Sequence, residues 1–235
     1  MTTGILFILT APSGCGKGSL RRALLAEDTD IRFCPSVTTR KIRPGEADGE
    51  DYFFISREEF SGRRARGELC EYALVYGNHY GTPRKDIEDA LKSGMDVIIE
   101  KDVQGAKALR SVYPEGIFVF VLPPSFDELR RRIEGRGTEE EEQKNLRLRS
   151  AHKEMTDLSP YDYVIINADL DKAKDRLRAI VAGERARLSA KARLLPPNGQ
   201  RRASDDKPTA KRHDAGKVEV QPRDRGIKES KADSI

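Results

Sequence analysis

Nine residues near the start of the chain, Ala11-Pro12-Ser13-Gly14-Cys15-Gly16-Lys17-Gly18-Ser19, place small side chains, a lysine and a hydroxyl at spacings that suit phosphate binding. In a loop of this composition backbone N–H groups turn inward and form a nest for anionic oxygens. Ile5 to Leu9 before it reads as a strand, and Leu20 to Leu25 after it as a helix whose positive dipole end meets the same point. Lys17 supplies the point charge that reaches the outer phosphates of a nucleoside triphosphate. Two positions depart from the strict G-x-x-x-x-G-K-[ST] pattern. Ala11 stands at the first glycine, and Gly18 stands where the magnesium hydroxyl is expected, with Ser19 one place later as its candidate replacement. Cys15, beside Lys17 and a helix N-terminus, reads either as a thiol of lowered pKa, open to alkylation that a bound nucleotide suppresses, or as an inert position. The bland reading of the whole loop is an ordinary glycine-rich turn.

A second cluster, Ser36-Val37-Thr38-Thr39-Arg40-Lys41-Ile42-Arg43-Pro44-Gly45-Glu46, is dense in hydroxyls and guanidinium groups. Arg40 and Arg43 can form a fork on a second phosphate, with the phenols of Tyr52 and Tyr80 completing a cage. Two nearby arginines also read as a solvated basic loop. Glu100 and Asp102 alternate to one side of a strand, where Glu100 can hold magnesium through water. Lys101 between them is expected to point away from the site, its stem on apolar surface and its amine in water.

The elements that must position these residues follow from apolar patterning. Tyr52 to Ile55, Leu69 to Tyr76, Asp96 to Asp102, Ile117 to Leu122 and Tyr163 to Asn167 read as strands. Helices are expected at Arg57 to Arg66, from a Thr82-Pro83 start to Lys92, at Gln104 to Val112, and at Asp171 to Leu188. Ser125 to Glu128 and Thr138 to Glu141 read as capping boxes opening two more. Strands alternating with helices predict an α/β fold: a parallel sheet covered on both faces.

The chain has 235 residues, enough for one good core with small lobes. Its net charge of +4 is unevenly spread. Ser189 to Ile235 holds 12 Lys and Arg against 7 Asp and Glu, and the rest holds 31 against 32. The basic character therefore belongs to a polar, aperiodic tail, expected to be disordered, and the folded part is close to neutral. The tail's charges are mixed and it carries no aromatic residue, so a nucleic-acid role is not expected. No run is long enough to span a bilayer, and no basic segment precedes the first apolar run, so neither a membrane span nor a signal peptide is expected. Three cysteines without metal-ligand spacing suggest a reduced, cytoplasmic protein.

Taken in order, the blocks Ala11 to Ser19, Ser36 to Gly45, Asp48 to Phe54, Glu71 to Ala73, Gly77 to Thr82, Asp102 to Ala106, Pro123 to Ser125, Glu134 to Glu139 and Tyr161 to Tyr163 resemble the bacterial guanylate kinases. The resemblance covers about residues 4–188. It implies a P-loop NTPase-type core, a GMP-binding lobe at about 36–92, a lid at about 135–152, and a tail at 189–235 outside the resemblance. It further implies transfer of the γ-phosphoryl group of ATP to GMP, and to dGMP, with Mg²⁺. On this pattern Ser36, Glu71, Thr82 and Asp102 contact guanine, while Arg40, Arg43, Tyr52 and Tyr80 hold the GMP phosphate. Lys17, Arg40, Arg136 and Arg147 act on the transferring group, with Arg132 a further candidate. A carboxylate at Glu71 accepts from both N1–H and N2–H of guanine, whereas adenine presents an acceptor at N1. His79, where a tyrosine is common, reads as contact surface. The rival readings are another small-molecule kinase on this scaffold, for a ribose bisphosphate or a different nucleoside monophosphate, and an inactive guanylate-kinase-like protein-binding module. The ligands of the metal and the oligomeric state stay open.

Overall fold

Runs such as Leu6-Phe7-Ile8-Leu9 and Phe118-Val119-Phe120-Val121 are apolar on both alternating faces, so both faces of their sheet must be covered. The computed structural model describes residues 3–75, 77–135 and 141–194. In chain order its elements are β1 (Leu6–Thr10), α1 (Lys17–Leu25), β2 (Ile31–Phe33), β3 (Ser36–Thr38), β4 (Tyr52–Phe54), α2 (Arg57–Ala65), β5 (Leu69–Val75), β6 (Asn78–Pro83), α3 (Arg84–Lys92), β7 (Asp96–Lys101), α4 (Val103–Val112), β8 (Ile117–Leu122), α5 (Phe126–Glu134), α6 (Glu141–Glu154), β9 (Tyr163–Ile166) and α7 (Leu170–Leu194).

Five strands form a sheet in the order β2-β7-β1-β8-β9, every pair parallel. The period of two sorts its side chains. Phe7, Leu9, Ile98, Val119 and Val121 face α1, α5 and α7, where they meet Leu20, Leu24, Leu129, Ile133, Leu177 and Val181. Leu6, Ile8, Val97, Ile99 and Phe118 face α3 and α4, against Ile87, Ala90, Ala106 and Leu109. The α/β fold with two covered faces is therefore present as expected.

A second sheet, ordered β4-β3-β6-β5, carries its own small core of Val37, Phe60 and Leu69 beneath α2. Its strands are short, and β2, β3 and β6 carry too little apolar repetition to be read from sequence. Thr82 and Pro83 end β6 instead of opening a helix, and Pro83 caps α3 without a side-chain bond. The lobe boundary also moves. Ile87 and Ala90 of α3 pack into the main core, so α3 belongs there and the lobe stops near residue 83. Ser125 caps α5 as expected, accepting from Glu128 N at 3.1 Å. The Thr138 capping box and Arg136 lie outside the described residues, as does the chain beyond Leu194. The last helix continues past the expected end at Leu188, so residues 189–194 are helical and not tail. No helix among the described residues is long and apolar enough to cross a membrane.

One charged network ties the two sheets together. Arg21 of α1 is buried; its Nε donates to Glu100 Oε1 at 2.7 Å and its Nη2 to Asp51 Oδ1 at 2.9 Å. Its guanidinium also lies 3.7 Å from the centre of the Phe33 ring. Asp51 in turn accepts from Ala47 N at 3.1 Å, which fixes the loop before β4. Removing Arg21 leaves the Glu100 carboxylate without its ion-pair partner and Asp51 with only the exposed Arg22, 3.1 Å away. Arg21→Met is therefore expected to lower unfolding stability by about 3 kcal/mol, seen as a fall in the urea midpoint without a change in m. An unchanged midpoint would show that the network carries no net stabilisation.

Candidate active site

Between β1 and α1 the loop turns through two left-handed glycines, Gly14 at φ 92° and Gly16 at φ 84°. A β-carbon on Gly16 would stand 2.6 Å from Asn167 Nδ2, so glycine is required there on two grounds. Asn167 follows β9, and its Nδ2 donates to the Cys15 carbonyl at 2.8 Å. It props the loop from the edge of the sheet, a support that nothing in the loop's own sequence announces. Lys17 opens α1 and folds back over the loop, its Nζ donating to the Ala11 carbonyl at 2.6 Å. An arriving phosphate oxygen replaces that carbonyl as its partner. Two expectations for this loop fail. Cys15 is fully buried in the main core, so its side chain is shielded by packing and is not a reactive thiol of the nest. Ser19 is exposed on α1 and does not line the cleft, because one residue rotates it about 100° round the helix from position 18. A β-carbon at Gly18 would instead stand 3.7 Å from Glu100 Oε1.

From this loop a cleft of about 410 Å³ runs between the two sheets, a volume suited to small-molecule ligands. It is lined at one end by Ala11, Ser13 and Lys17 and at the other by Ser36, Glu71 and Lys101. That far end is a buried polar pocket. Glu71 of β5 accepts from Thr82 Oγ1 at 2.5 Å, and Glu71, Thr82 and Ser36 are all nearly inaccessible to water. Register explains the meeting: β5 and β6 pair antiparallel with Glu71 opposite Thr82. Asp102 lines the cleft but lies beyond β7, where its Oδ1 caps α4 by accepting from Gly105 N at 2.7 Å. It therefore escapes the strand alternation expected to place it beside Glu100.

Lys101 is the largest correction. Its amine is not in water: the side chain is buried, and Nζ donates to Ser36 Oγ at 2.8 Å and to Glu71 Oε1 at 2.7 Å. It points away from Glu100, as alternation requires, yet not away from the site: both residues line the same cleft. Glu100 shares the register of Leu9 on the α1 side, whereas Lys101 shares that of Thr10 on the other. The polar pocket covers that other face.

Arg43, Tyr52, Tyr80 and Arg147 line the middle of the cleft. Burial, then the neighbouring charges of Arg40 and Arg147, holds the Arg43 pKa below the usual guanidinium range. Three cations this close favour an anion among them. Burial, with the Glu100 carboxylate adding to it, pushes the Tyr52 phenol well above its ordinary range, so it stays a hydrogen-bond donor. Arg40 stands behind this group. Its two terminal nitrogens donate to Glu46 Oε2 and Oε1, both at 2.9 Å, and Glu46 Oε2 also accepts from Arg43 N at 3.0 Å. Burial works against the Arg40 charge, and the bonds to Glu46 outweigh it, so its pKa ends above the usual value. Glu46 is thus the organiser of the 40–46 loop, a role that its sequence position did not reveal.

Arg132 does not reach the cleft: it bonds Glu128 Oε1 at 2.8 Å and the Asn167 carbonyl at 3.2 Å. His79 stacks on Phe60 with ring centres 5.0 Å apart, in keeping with a contact role. Glu154, at the end of α6, lines the cleft and was not singled out from sequence. Burial and then the Asp102 charge raise its pKa, against the pull of Lys17.

A phosphate nest at one end, a cationic middle and a buried carboxylate at the other are the parts of a two-nucleotide site. Comparison with known proteins agrees. The profile of the family described as guanylate kinase matches residues 4–184. The chain belongs to the guanylate kinase family. It is 52% identical over 184 residues to the guanylate kinase of Symbiobacterium thermophilum, covering 78% of this chain and 87% of that one. It is 47% identical over 181 residues to that of Oceanobacillus iheyensis, covering 77% and 88% respectively. The crystal structure of guanylate kinase from Anaplasma phagocytophilum superposes with a TM-score of 0.66 at 36% identity, over 78% of this chain and 87% of that one. This member of the guanylate kinase family is accordingly a nucleoside monophosphate kinase, an ATP:GMP phosphotransferase.

Proposed function

We propose that the loop Ala11 to Ser19 holds the ATP phosphates while Ser36, Glu71 and Thr82 read the base of GMP at the far end of the same cleft. The observation that carries this is the buried Glu71 carboxylate, facing the cleft opposite the phosphate nest. Its Oε1 accepts from Thr82 and Lys101, and among the described residues no donor takes Oε2. Guanine brings two adjacent donors to such an acceptor; adenine brings an acceptor to it. Arg43, Tyr52 and Tyr80 hold the GMP phosphate, with Arg40 steadying them through Glu46 and Tyr80.

A nucleotide phosphate is already anionic and attacks without a general base, so the protein's task is alignment and charge neutralisation. Lys17 exchanges the Ala11 carbonyl for the transferring phosphoryl group. Arg147, which lines the cleft, acts on the ATP phosphates; Arg136, given the same role by the family pattern, lies outside the described residues. Glu100 would hold Mg²⁺ through water: it lines the cleft, Arg21 takes only its Oε1, and magnesium usually keeps several waters where protein ligands are few. Held there, it would supply positive charge against the phosphates. The lobe at 36–83 and the core form one kinase domain. Three buried cysteines, none of them in a disulfide, support a cytoplasmic setting. Nucleic acid is not among the ligands.

The test is a coupled assay of ADP formation with GMP, dGMP, AMP and UMP, repeated with EDTA. GMP and dGMP are expected to turn over, AMP at a kcat/KM about 10⁴-fold lower, since a polar pocket left mispaired discriminates by roughly that factor. Equal use of AMP and GMP, or turnover surviving EDTA, would refute the corresponding part of the assignment.

A further inference from the structure

Ser36, Glu71 and Thr82 leave one part of the guanine edge without a charged partner. Along that edge the groups run N2–H, N1–H, O6. Glu71 suits the two donors, and the next atom is an acceptor. Lys101 places its Nζ between the carboxylate and the Ser36 hydroxyl, 2.7 Å from Glu71 Oε1 and 2.8 Å from Ser36 Oγ. An ammonium carries three N–H donors. Two are spent on Glu71 and Ser36, and among the described residues none accepts the third. The group is buried yet lines the cleft. Gly105 of α4 makes room for it: a β-carbon there would stand 3.2 Å from the Lys101 Cδ and 3.5 Å from Glu71 Oε2.

We propose that Lys101 is a base-reading residue of this kinase, its third N–H donating to O6 of guanine. The proposal rests on the assignment of Glu71 to N1–H and N2–H. Acceptor and donor then stand side by side in the pocket in the order that a 6-oxo-2-aminopurine requires. Adenine meets both in the wrong sense: its N1 acceptor faces the carboxylate, and its N6 amine faces the ammonium. The lysine also keeps the carboxylate compensated before substrate arrives, without occupying both of its oxygens.

The test pairs substitutions with single-atom changes in the base. GMP is compared with 6-thio-GMP, which weakens only the O6 acceptor, and with IMP, which lacks only the 2-amine. Lys101→Met is expected to lower kcat/KM for GMP about 10-fold, the effect of one charge-assisted hydrogen bond. It should leave 6-thio-GMP nearly unchanged, so the preference between them collapses. Lys101→Gln, which keeps an N–H donor, restores part of that preference. The GMP-to-IMP ratio does not move, because both carry O6. Glu71→Gln collapses the GMP-to-IMP ratio instead. Equal losses for GMP and 6-thio-GMP in Lys101→Met mark a purely structural lysine and overturn the proposal while Glu71 keeps its role. If Glu71→Gln also leaves its ratio untouched, both readings fall. The unsubstituted protein gives a check independent of folding: the C6 carbonyl stretch of bound ¹⁸O-labelled GMP is expected below its value in water. A band at or above the water value overturns the proposal.

Discussion

Lys17→Ala is expected to reduce kcat about 10³-fold, the scale on which a single cationic or N–H donor to a transferring group acts. The side chain starts at the first residue of α1, where alanine is a good helix former, and among the described residues its hydrogen bond goes to the Ala11 carbonyl at the loop's own edge. Little of the fold depends on it, so the urea midpoint should stay within the error of the parent protein. The base pocket is built from β3, β5, β6 and β7, so the KM for GMP should change little. Loss of kcat with intact stability and GMP affinity therefore assigns Lys17 to the transition state. A kcat within 10-fold of the parent would remove it from that role.

Glu71→Gln is expected to lower kcat/KM for GMP about 10³-fold, with ATP binding changed by less than about 2-fold. The amide keeps the size but replaces one acceptor with a donor, which then faces guanine's own donors. It also removes the negative charge paired with Lys101, leaving that ammonium buried with neutral partners in place of the ion pair. The substitution thus strikes both halves of the pocket, yet nothing in it touches the phosphate loop. Isothermal titration with a non-hydrolysable ATP analogue and with GMP separates the two. Parallel loss of both affinities would point to a general unfolding of the cleft. Retention of GMP affinity would detach Glu71 from the base.

What was legible in the sequence was local. The phosphate loop declares itself because glycine, lysine and the flanking apolar runs are contiguous, and each has a backbone reason to stand where it does. The strands of the main sheet read well because burial on both faces leaves unbroken apolar runs. Glu71, Ser36 and Thr82 were reached through ordered family blocks, and the structure brings the three to one pocket. The failures share a cause. Strand alternation told which way Lys101 points but not what covers that face. Arg21 and Asp51, Asn167 and Cys15, and Arg40 and Glu46 are pairings of charge or amide whose geometry depends on folded loops. Thr82-Pro83 mimics a helix start because a hydroxyl before proline serves equally at the end of a short strand. No periodic signal distinguishes these cases, since what decides them is which segment arrives opposite.

Arg185 of α7 bonds Asp96 Oδ2 at 2.6 Å and Asp28 Oδ2 at 2.8 Å. Asp96 begins β7, whose far end carries Lys101, so this junction sits about 17 Å down the sheet from the nucleotide ends of the strands. The last helix therefore leaves the fold at the pole opposite the chemistry. Affinity handles, fluorescent reporters or surface tethers grafted there face away from the mouth of the cleft. An immobilised enzyme held by that pole presents its substrate entrance to bulk solution, which makes the helix the natural anchoring side for a sensor or a flow reactor.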